Sequence, residues 1–470
     1  MTSETENDLH GTSPREHLAK ILTATDVLGV DDQASLCIDG HKAEDLLQQF
    51  GSPLYVLSEK TIRANFRRIH KAFGDRWPET VTVLYAIKAN CNPAIRAIIH
   101  SEGGGGDCFG LGELWVTFEG GADPGLIHMN GGNKSHEELE AAVRHGIIVN
   151  IDALDEIDML DEICRETGKA VRVAVRIKGA PDELSTVPSD YMNVADAQTF
   201  LMREKWGFTK KTAVRVVEHV LQRPALKLCG FNIHTPRFTR DPESFAECTR
   251  DFAETIVAIR DKTGYVPDLI DIGGGWPRER DPESRKHSLN TNSIEDFADS
   301  VSASLLKTFR AHDIAIPELR MEPGRYIIGN ASVLLGRTGV TKRDCGMVWL
   351  NVDFSTNNLV RVESAGSAHH MMPASAMDRP YEDRVQVVGS TCVDSRLADN
   401  WPIPDMQRGE PIALLDAGMY SESISTHLNS VPLPATILVN GDSIDIIRKR
   451  ETHQDVYRQL RTPKRLKPTR

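Results

Sequence analysis

The chain has 470 residues, of which 26% are charged and 40% are hydrophobic, and its formal net charge is −12. A chain of this length exceeds one ordinary core, so two domains are expected. No apolar run approaches the roughly 20 residues that cross a bilayer, which excludes a helical membrane protein. The negative charge disfavours nucleic acid as a partner.

The eight cysteines are scattered along the chain and form no Cys-x-x-Cys pair. This distribution argues against a zinc site or a disulfide framework and suits a reducing compartment. Residues 1–10 carry three acidic side chains and no apolar run, so we expect no secretory signal. Together these features predict a cytoplasmic protein.

Changes of pattern along the chain predict the domain boundaries. We expect a flexible segment over residues 1–30 and, over residues 31–57, a segment that contributes a strand to a later β-domain. The remaining predicted parts are a first domain over 58–330, a β-domain over 331–450 and a basic tail over 451–470.

The first domain repeats a short apolar strand, a turn and an amphipathic helix. The predicted strands are 81–85, 126–129, 147–151, 171–177, 228–233, 269–272 and 318–321, and the predicted helices include 59–73, 135–145, 153–167, 211–222, 242–262 and 293–311. This alternation predicts an α/β fold whose parallel strands close into a (β/α)8 barrel. After residue 330, strand-like runs without helical periodicity predict a mostly antiparallel β-domain.

The barrel strand 81–85 leads directly to Lys88. A lysine at the mouth of a buried strand can lose hydration, which favours its neutral form and lets it form a Schiff base with a carbonyl compound. An isolated lysine after a strand is more often simply solvated. The interpretation therefore depends on the other strand ends.

Three further predicted strands end on polar or glycine motifs. One ends on His234, one on Gly273-Gly274-Gly275, and one on Glu322-Pro-Gly-Arg325. The triple glycine can expose backbone N–H groups to a phosphate. Taken singly, the histidine and the Glu-Arg pair also fit a structural hydrogen bond and a salt bridge. The glycine run 103–106 fits a surface loop.

In this order the motifs resemble the pyridoxal-phosphate enzymes of the alanine-racemase-like barrel fold, and among them the ornithine and diaminopimelate decarboxylase family. The resemblance covers about Ser52 to Val439 and includes further landmarks: 51–56, 85–90, 132–135, 205–207, 271–275, Cys392 and 416–420. Asn133-Lys134-Ser135 is similar to the diaminopimelate branch.

The resemblance implies pyridoxal 5′-phosphate as the cofactor, held by Lys88 and opposed at its ring nitrogen by Glu322. The other implied cofactor contacts are Asp107, Glu113, His234, Gly273, Gly274, Gly275, Gly324, Arg325 and Tyr420. It implies loss of carbon dioxide from the substrate, after which Cys392 of the partner subunit returns a proton to Cα. That role requires a homodimer with shared sites.

Departures from the family pattern fall where the substrate is recognised. Thr235-Pro236-Arg237 follows His234 in place of the usual Gly-Ser, so Thr235 or Arg237 takes over the phosphate contact or the loop serves the substrate. Val393 replaces the glutamate that pairs with the distal ammonium of diaminopimelate, and Arg396 replaces an acidic residue.

An unpaired ammonium in a closed site costs several kcal/mol, so we expect meso-diaminopimelate to be a poor substrate. The candidate substrate contacts are Arg325, Arg361, Asp394, Arg396 and Tyr420. The favoured function is decarboxylation of another amino acid or of an amino-acid conjugate.

Two alternatives stay open. A racemase or epimerase of the same fold needs a second base, and release of carbon dioxide distinguishes it. Racemases of this fold commonly place an arginine at the position of Glu322. A non-catalytic regulator is the other alternative, although the presence of Lys88, Glu322 and Cys392 argues against it.

Overall fold

A computed structural model describes residues 9–179, 203–234, 239–394 and 396–466. These residues form two compact units. One unit consists of 23–26 and 59–331, and the other of 9–22, 27–58 and the described chain from 332 onward. We refer to them as the barrel unit and the β-unit.

Eight parallel strands of the described chain close the barrel: Val81–Ala86, Gly105–Cys108, Ile127–Met129, Ile148–Ile151, Val171–Ile177, Leu226–Ile233, Leu269–Asp271 and Glu318–Met321. The last strand pairs with the first, Leu319 opposite Val81. The strands are almost wholly buried, as expected when helices cover a parallel sheet. The predicted (β/α)8 barrel is thus confirmed.

The helices of the barrel unit lie close to the predicted bounds. They are Glu59–Gly74, Pro93–Ser101, Leu111–Glu119, His136–His145, Asp155–Thr167, Lys210–Leu221, Pro242–Thr263, Ile294–Ala311 and the short Arg325–Ile328. Several begin where a serine caps the first turn, such as Ser135 with Glu138 and Ser293 with Asp296. Among the described residues, none of these helices has the length and apolar composition needed to span a membrane.

One barrel strand, Gly105–Cys108, begins within the glycine run 103–106 that the sequence suggested as a surface loop. Glycine is unfavourable in a strand in general. Here it is required, because a Cβ on Gly105 would lie 2.0 Å from the backbone oxygen of Leu126 and 2.6 Å from Leu84 Cδ2. Close approach of the neighbouring strand therefore selects glycine.

Gly105→Ala is accordingly expected to lower the free energy of unfolding by about 3 kcal/mol, because a backbone carbonyl has to move to admit the methyl group. Chemical denaturation of both proteins measures the difference. Gly74→Ala is the matched control, since its added Cβ meets nothing within 4 Å. Equal midpoints for Gly105→Ala and Gly74→Ala would contradict the packing argument.

The β-unit is mostly antiparallel, as predicted. Its strands are Leu28–Val30, Leu36–Ile38, His41–Lys42, Leu54–Ser58, Ser332–Asp344, Met347–Val352, Met371–Pro373, Asp383–Val388, Arg396–Ile403, Pro411–Leu414, Ala435–Asn440 and Ser443–Arg448. Its helices are Pro14–Ile21, Ala43–Phe50, Val360–Ala365 and His453–Tyr457. Leu54–Ser58 lies between an antiparallel neighbour, Ser332–Asp344, and a parallel one, Ala435–Asn440.

The expectation of a flexible segment over residues 1–30 does not hold for the part that is described. Ser13 and Glu16 form a capping box at the start of the helix Pro14–Ile21, which buries His17, Leu18 and Ile21. His17 Nε2 lies 3.1 Å from Nδ1 of His370. His369 and His370 are each only 4% exposed.

Candidate active site

Lys88 lies in a tight turn, Ile87–Ala89, immediately after the first barrel strand. Its Nζ donates to Oδ2 of Asp107 at 2.8 Å and lies 4.8 Å from the centre of the Phe109 ring. Asp107 is fully buried, whereas 37% of the Lys88 side chain is exposed. Asp107 therefore holds the amine of Lys88 in place, and the side chain remains accessible to a bound molecule.

Asn130 links this pair to Glu322. Its Nδ2 donates at 2.7 Å both to Oδ1 of Asp107 and to Oε1 of Glu322, which uses both amide hydrogens. Its Oδ1 accepts from Asn150 at 2.9 Å, which fixes the amide orientation. A second amide, Asn232 Nδ2, lies 3.3 Å from the same Oε1. Lys88 and Glu322 thus belong to one buried hydrogen-bond network.

Glu322 is buried at the end of the strand Glu318–Met321. Burial, followed by the charges of Asp107 and Asp271, holds the pKa of Glu322 well above its usual range. Because Oε1 accepts the two amide N–H groups, the acid proton belongs on Oε2. That oxygen lies 3.9 Å from Nδ1 of His234. Glu322 can therefore donate a proton toward a ligand.

The glycine turn at 273–275 brings His234 and Glu322 together. Gly273 has a φ of +69°, and a Cβ there would lie 2.4 Å from the backbone oxygen of Ile233. A Cβ on Gly274 would lie 2.4 Å from the backbone oxygen of Glu322. The amide of Gly273 donates to Asp271 at 2.9 Å, so this N–H is already used within the protein. Gly275, with a φ of +92°, continues the turn.

Gly324 and Arg325 follow Glu322. A Cβ on Gly324 would come within 2.9 Å of Ala89 Cβ, so glycine lets the Glu322 loop approach the Lys88 turn. The guanidinium of Arg325 pairs with Asp281 at 3.3 Å and with Glu283, and all three side chains are buried. These two carboxylates already balance the charge of Arg325. The contacts with cofactor and substrate that the sequence led us to expect of Arg325 stay predictions.

Glu113 lies near the Lys88 pair in the first turn of the helix Leu111–Glu119. Its Oε2 accepts from the backbone N–H of Phe109 at 2.7 Å. Burial, with a smaller contribution from Asp107, raises the pKa of Glu113 to about 7. This carboxyl can accordingly gain or lose a proton near neutrality.

The remaining predicted residues belong to the β-unit. The guanidinium carbon of Arg361 lies 5.6 Å from the centre of the Tyr420 ring, so these two are brought together. Cys392 is exposed and donates its backbone N–H to Oδ1 of Asn429 at 3.0 Å. Asp394 is exposed. Thr235 and Arg237 lie outside the described residues.

Arg396 forms its contacts on its own strand and on the neighbouring strand Asp383–Val388. Its Nη1 donates to Asp399 at 2.7 Å and to Gln386 Oε1 at 3.1 Å. The sequence suggested Arg396 as a substrate contact, which requires a guanidinium charge that is available to the substrate. The pairing with Asp399 weakens that argument, because it offsets the charge.

Sequence reasoning missed five inward-facing polar residues: His128, Asn130, Asn150, Asn232 and Asp271. Alternate residues of a strand face the same side, so His128 and Asn130, or Asn232 and His234, point into the barrel together. The available signal was this period of two. The last residue of each strand does not by itself reveal these side chains.

Comparison with known proteins identifies the family. The sequence model described as "Pyridoxal-dependent decarboxylase, pyridoxal binding domain" matches residues 59–329. The chain belongs to this family. The decarboxylase is 31% identical to diaminopimelate decarboxylase of Methanothermobacter thermautotrophicus over 93% of this chain and 98% of that protein. It is 30% identical to the Aquifex aeolicus protein of the same name, over 89% and 94% of the two chains.

A solved structure agrees with these sequence relatives. Diaminopimelate decarboxylase of M. jannaschii superposes with a TM-score of 0.86 at 25% identity, covering 94% of this chain and 99% of that one. This decarboxylase is therefore a pyridoxal 5′-phosphate-dependent carboxy-lyase of the ornithine and diaminopimelate decarboxylase family. The predicted family, fold and cofactor are confirmed.

The site described above fits this cofactor. Lys88 offers an accessible amine for the aldehyde, and Glu322 offers a protonated carboxyl for a basic ring nitrogen. His234 is partly exposed beside the tight glycine turn. When bound, the cofactor supplies an electron sink for the bond that breaks.

Proposed function

We propose that this enzyme decarboxylates the α-carbon of an amino acid through Lys88, Glu322 and Cys392. The observation that carries the proposal is the network Lys88–Asp107–Asn130–Glu322, which joins an accessible amine to a buried acid with a raised pKa. Loss of carbon dioxide leaves an electron pair at Cα, and a proton held at the ring nitrogen by Glu322 favours its dispersal.

A diamino acid of the diaminopimelate type is the substrate class that we propose. Supporting it are the relatives named diaminopimelate decarboxylase, which match about nine-tenths of the chain at 30–31% identity. The sequence-based expectation that meso-diaminopimelate is a poor substrate gains no support from these relatives. Val393 beside Cys392 favours the second candidate, an amino acid or conjugate without a distal ammonium.

Release of carbon dioxide from a panel of amino acids tests the proposal. We expect meso-diaminopimelate to be turned over faster than lysine, ornithine, arginine or glutamate. Faster turnover of another member would favour the second candidate. Racemisation without release of carbon dioxide would contradict the decarboxylase reaction itself, and chiral analysis of the recovered substrate detects it.

We further propose a homodimer in which Cys392 of the partner subunit returns the proton to Cα. The support is the family resemblance together with the exposed position of Cys392, at which a thiol can meet a second chain. Tyr420 and Arg361, which lie together, are proposed to contact the substrate or cofactor. Their contribution follows from the same family match.

Mixing two inactive variants tests the shared site. Lys88→Ala and Cys392→Ala, co-expressed with different tags, are expected to recover about a quarter of the wild-type activity, since half of randomly paired dimers are mixed and each contains one intact site. Each variant expressed alone is the control. Purified mixed dimers as inactive as the parents would contradict a site shared between chains.

A further inference from the structure

A row of polar residues continues from Glu322 into the interior of the barrel. Glu318, Arg320 and Glu322 alternate along one strand and so face the interior. Arg320 donates to Glu318 Oε1 at 2.9 Å, and its Nη1 lies 3.0 Å from Nε2 of His128. His128 in turn contacts Asp271, which completes the row.

Arg320 fixes the tautomer of His128. A guanidinium only donates hydrogen bonds, so Nε2 of His128 must accept and the ring hydrogen of the neutral imidazole is on Nδ1. This Nδ1 lies 3.1 Å from Oδ2 of Asp271. Within the described chain, neither atom makes a hydrogen bond of regular geometry, so the 3.1 Å approach is a close polar contact between two otherwise unsatisfied buried atoms. The imidazole therefore presents a donor to the buried carboxylate.

Asp271 also contacts the site itself. Its Oδ1 accepts the Gly273 amide at 2.9 Å, so it orders the glycine turn. One side-chain nitrogen or oxygen atom from each of His128, Asp271 and Glu322 lies within 4.8 Å of the others. Two carboxyl groups at this range inside a barrel cannot both ionise without a cation between them, so they share one proton.

The surroundings decide which carboxyl holds that proton. Burial favours the neutral form of Asp271, but the His128 contact and the Gly273 amide outweigh it and hold the pKa of Asp271 below its usual range. Burial likewise lowers the pKa of His128, which keeps the ring neutral. Glu322 faces Asp107 and Asp271, opposed by Lys88 and Arg176, and its pKa is raised.

We propose that Asp271, oriented by His128 and Arg320, is a positioning residue that keeps a proton on Glu322 for delivery to the cofactor ring nitrogen. With the cofactor bound, Glu322 would hold this proton between its Oε2 and the ring nitrogen. The charge on Asp271 favours the proton staying within that pair at either place. This inference rests on the proposed role of Glu322.

Infrared difference spectroscopy of the full-length protein, before and after loading with pyridoxal 5′-phosphate, tests the inference. The Glu322→Gln spectrum serves as the reference. Wild-type protein without cofactor is expected to have the C=O band of a protonated carboxyl at neutral pH, and Asp271→Asn to lose this band at a lower pH than the wild type, because burial and Asp107 still favour the proton on Glu322. His128→Leu should remove the band of Glu322, because an unpaired Asp271 takes the proton. His128→Asn, whose amide can replace the Nδ1 donor, should retain it.

Asp26→Asn is the matched control, because Asp26 is equally buried and pairs with Arg280 away from this row. It should leave the band unchanged.

In loaded protein, Asp271→Asn should lower kcat about 10- to 100-fold with little change in KM. A wild-type spectrum without the band, or loss of the band at the same pH in wild type and Asp271→Asn, would overturn the inference. If Asp271→Asn does not fold, the two His128 variants decide. Absence of carbon dioxide release from every amino acid would instead contradict the proposed function and leave the spectra interpretable.

Discussion

Replacing Lys88 by alanine is expected to eliminate covalent attachment of the cofactor and to lower carbon dioxide release on the order of 10⁴-fold or more. The reason is the position of its amine. Lys88 Nζ is held by Asp107 and remains accessible. By contrast, Lys134 is 2% exposed and paired with Glu156, and Lys178 donates to the backbone oxygen of Trp206 at 3.0 Å.

Borohydride treatment followed by proteolysis and mass spectrometry measures the attachment directly. In wild-type protein the cofactor should be fixed to the peptide that contains Lys88. Lys178→Met, which removes a nearby amine without touching the Lys88–Asp107 pair, should retain this labelling. Visible absorption of bound cofactor in Lys88→Ala, with label on another lysine, would show that the assignment of Lys88 is wrong.

Glu322→Gln is expected to lower kcat about 10³-fold while leaving KM and cofactor attachment nearly unchanged. A glutamine carbonyl can still accept the amide hydrogens of Asn130 and Asn232, so the pocket keeps its shape. What is lost is the acid proton and the negative charge opposite the ring nitrogen. Glu322→Asp retains the acid proton and the negative charge on a shorter side chain, so its kcat should fall less than that of Glu322→Gln.

Thermal unfolding of the cofactor-free proteins provides an independent check. Because the pKa of Glu322 is raised in the folded state, folded wild-type protein binds more protons than the unfolded chain between the usual and the raised value. Its stability therefore falls as the pH rises through that window. Glu322→Gln should lack this contribution. Identical pH dependence of both proteins, together with an unchanged kcat, would contradict the assigned role.

Much of the barrel could be predicted from the sequence, because hydrophobic periodicity reports burial directly. Strands such as Val171–Ile177 and helices such as Pro242–Thr263 lie within one or two residues of the predicted bounds. Gly105–Cys108 was missed for a physical reason. Its glycines are required by contacts with Leu126 and Leu84, which are distant along the chain, and local propensity cannot reveal them.

The same division applies to the site. Motifs at strand ends predict Lys88, His234, the triple glycine and Glu322 as site residues, since the carboxyl ends of parallel strands lie at one face of the barrel. Pairing between charged groups could not be predicted in this way. Arg325 is matched by Asp281 and Glu283, and Arg396 by Asp399, so charges that seemed available for a ligand are already balanced.

The sequence by itself determined the fold class and the cofactor family, and it predicts the lysine that attaches the cofactor, because these depend on periodicity and on motifs of adjacent residues. Only the tertiary structure decided which charged groups surround Glu322. That depends on His128, Asp271 and Glu322, which lie on three different strands and come within 4.8 Å of one another only when the barrel closes. Burial then makes their charges interact strongly, and no local pattern of residues encodes that distance.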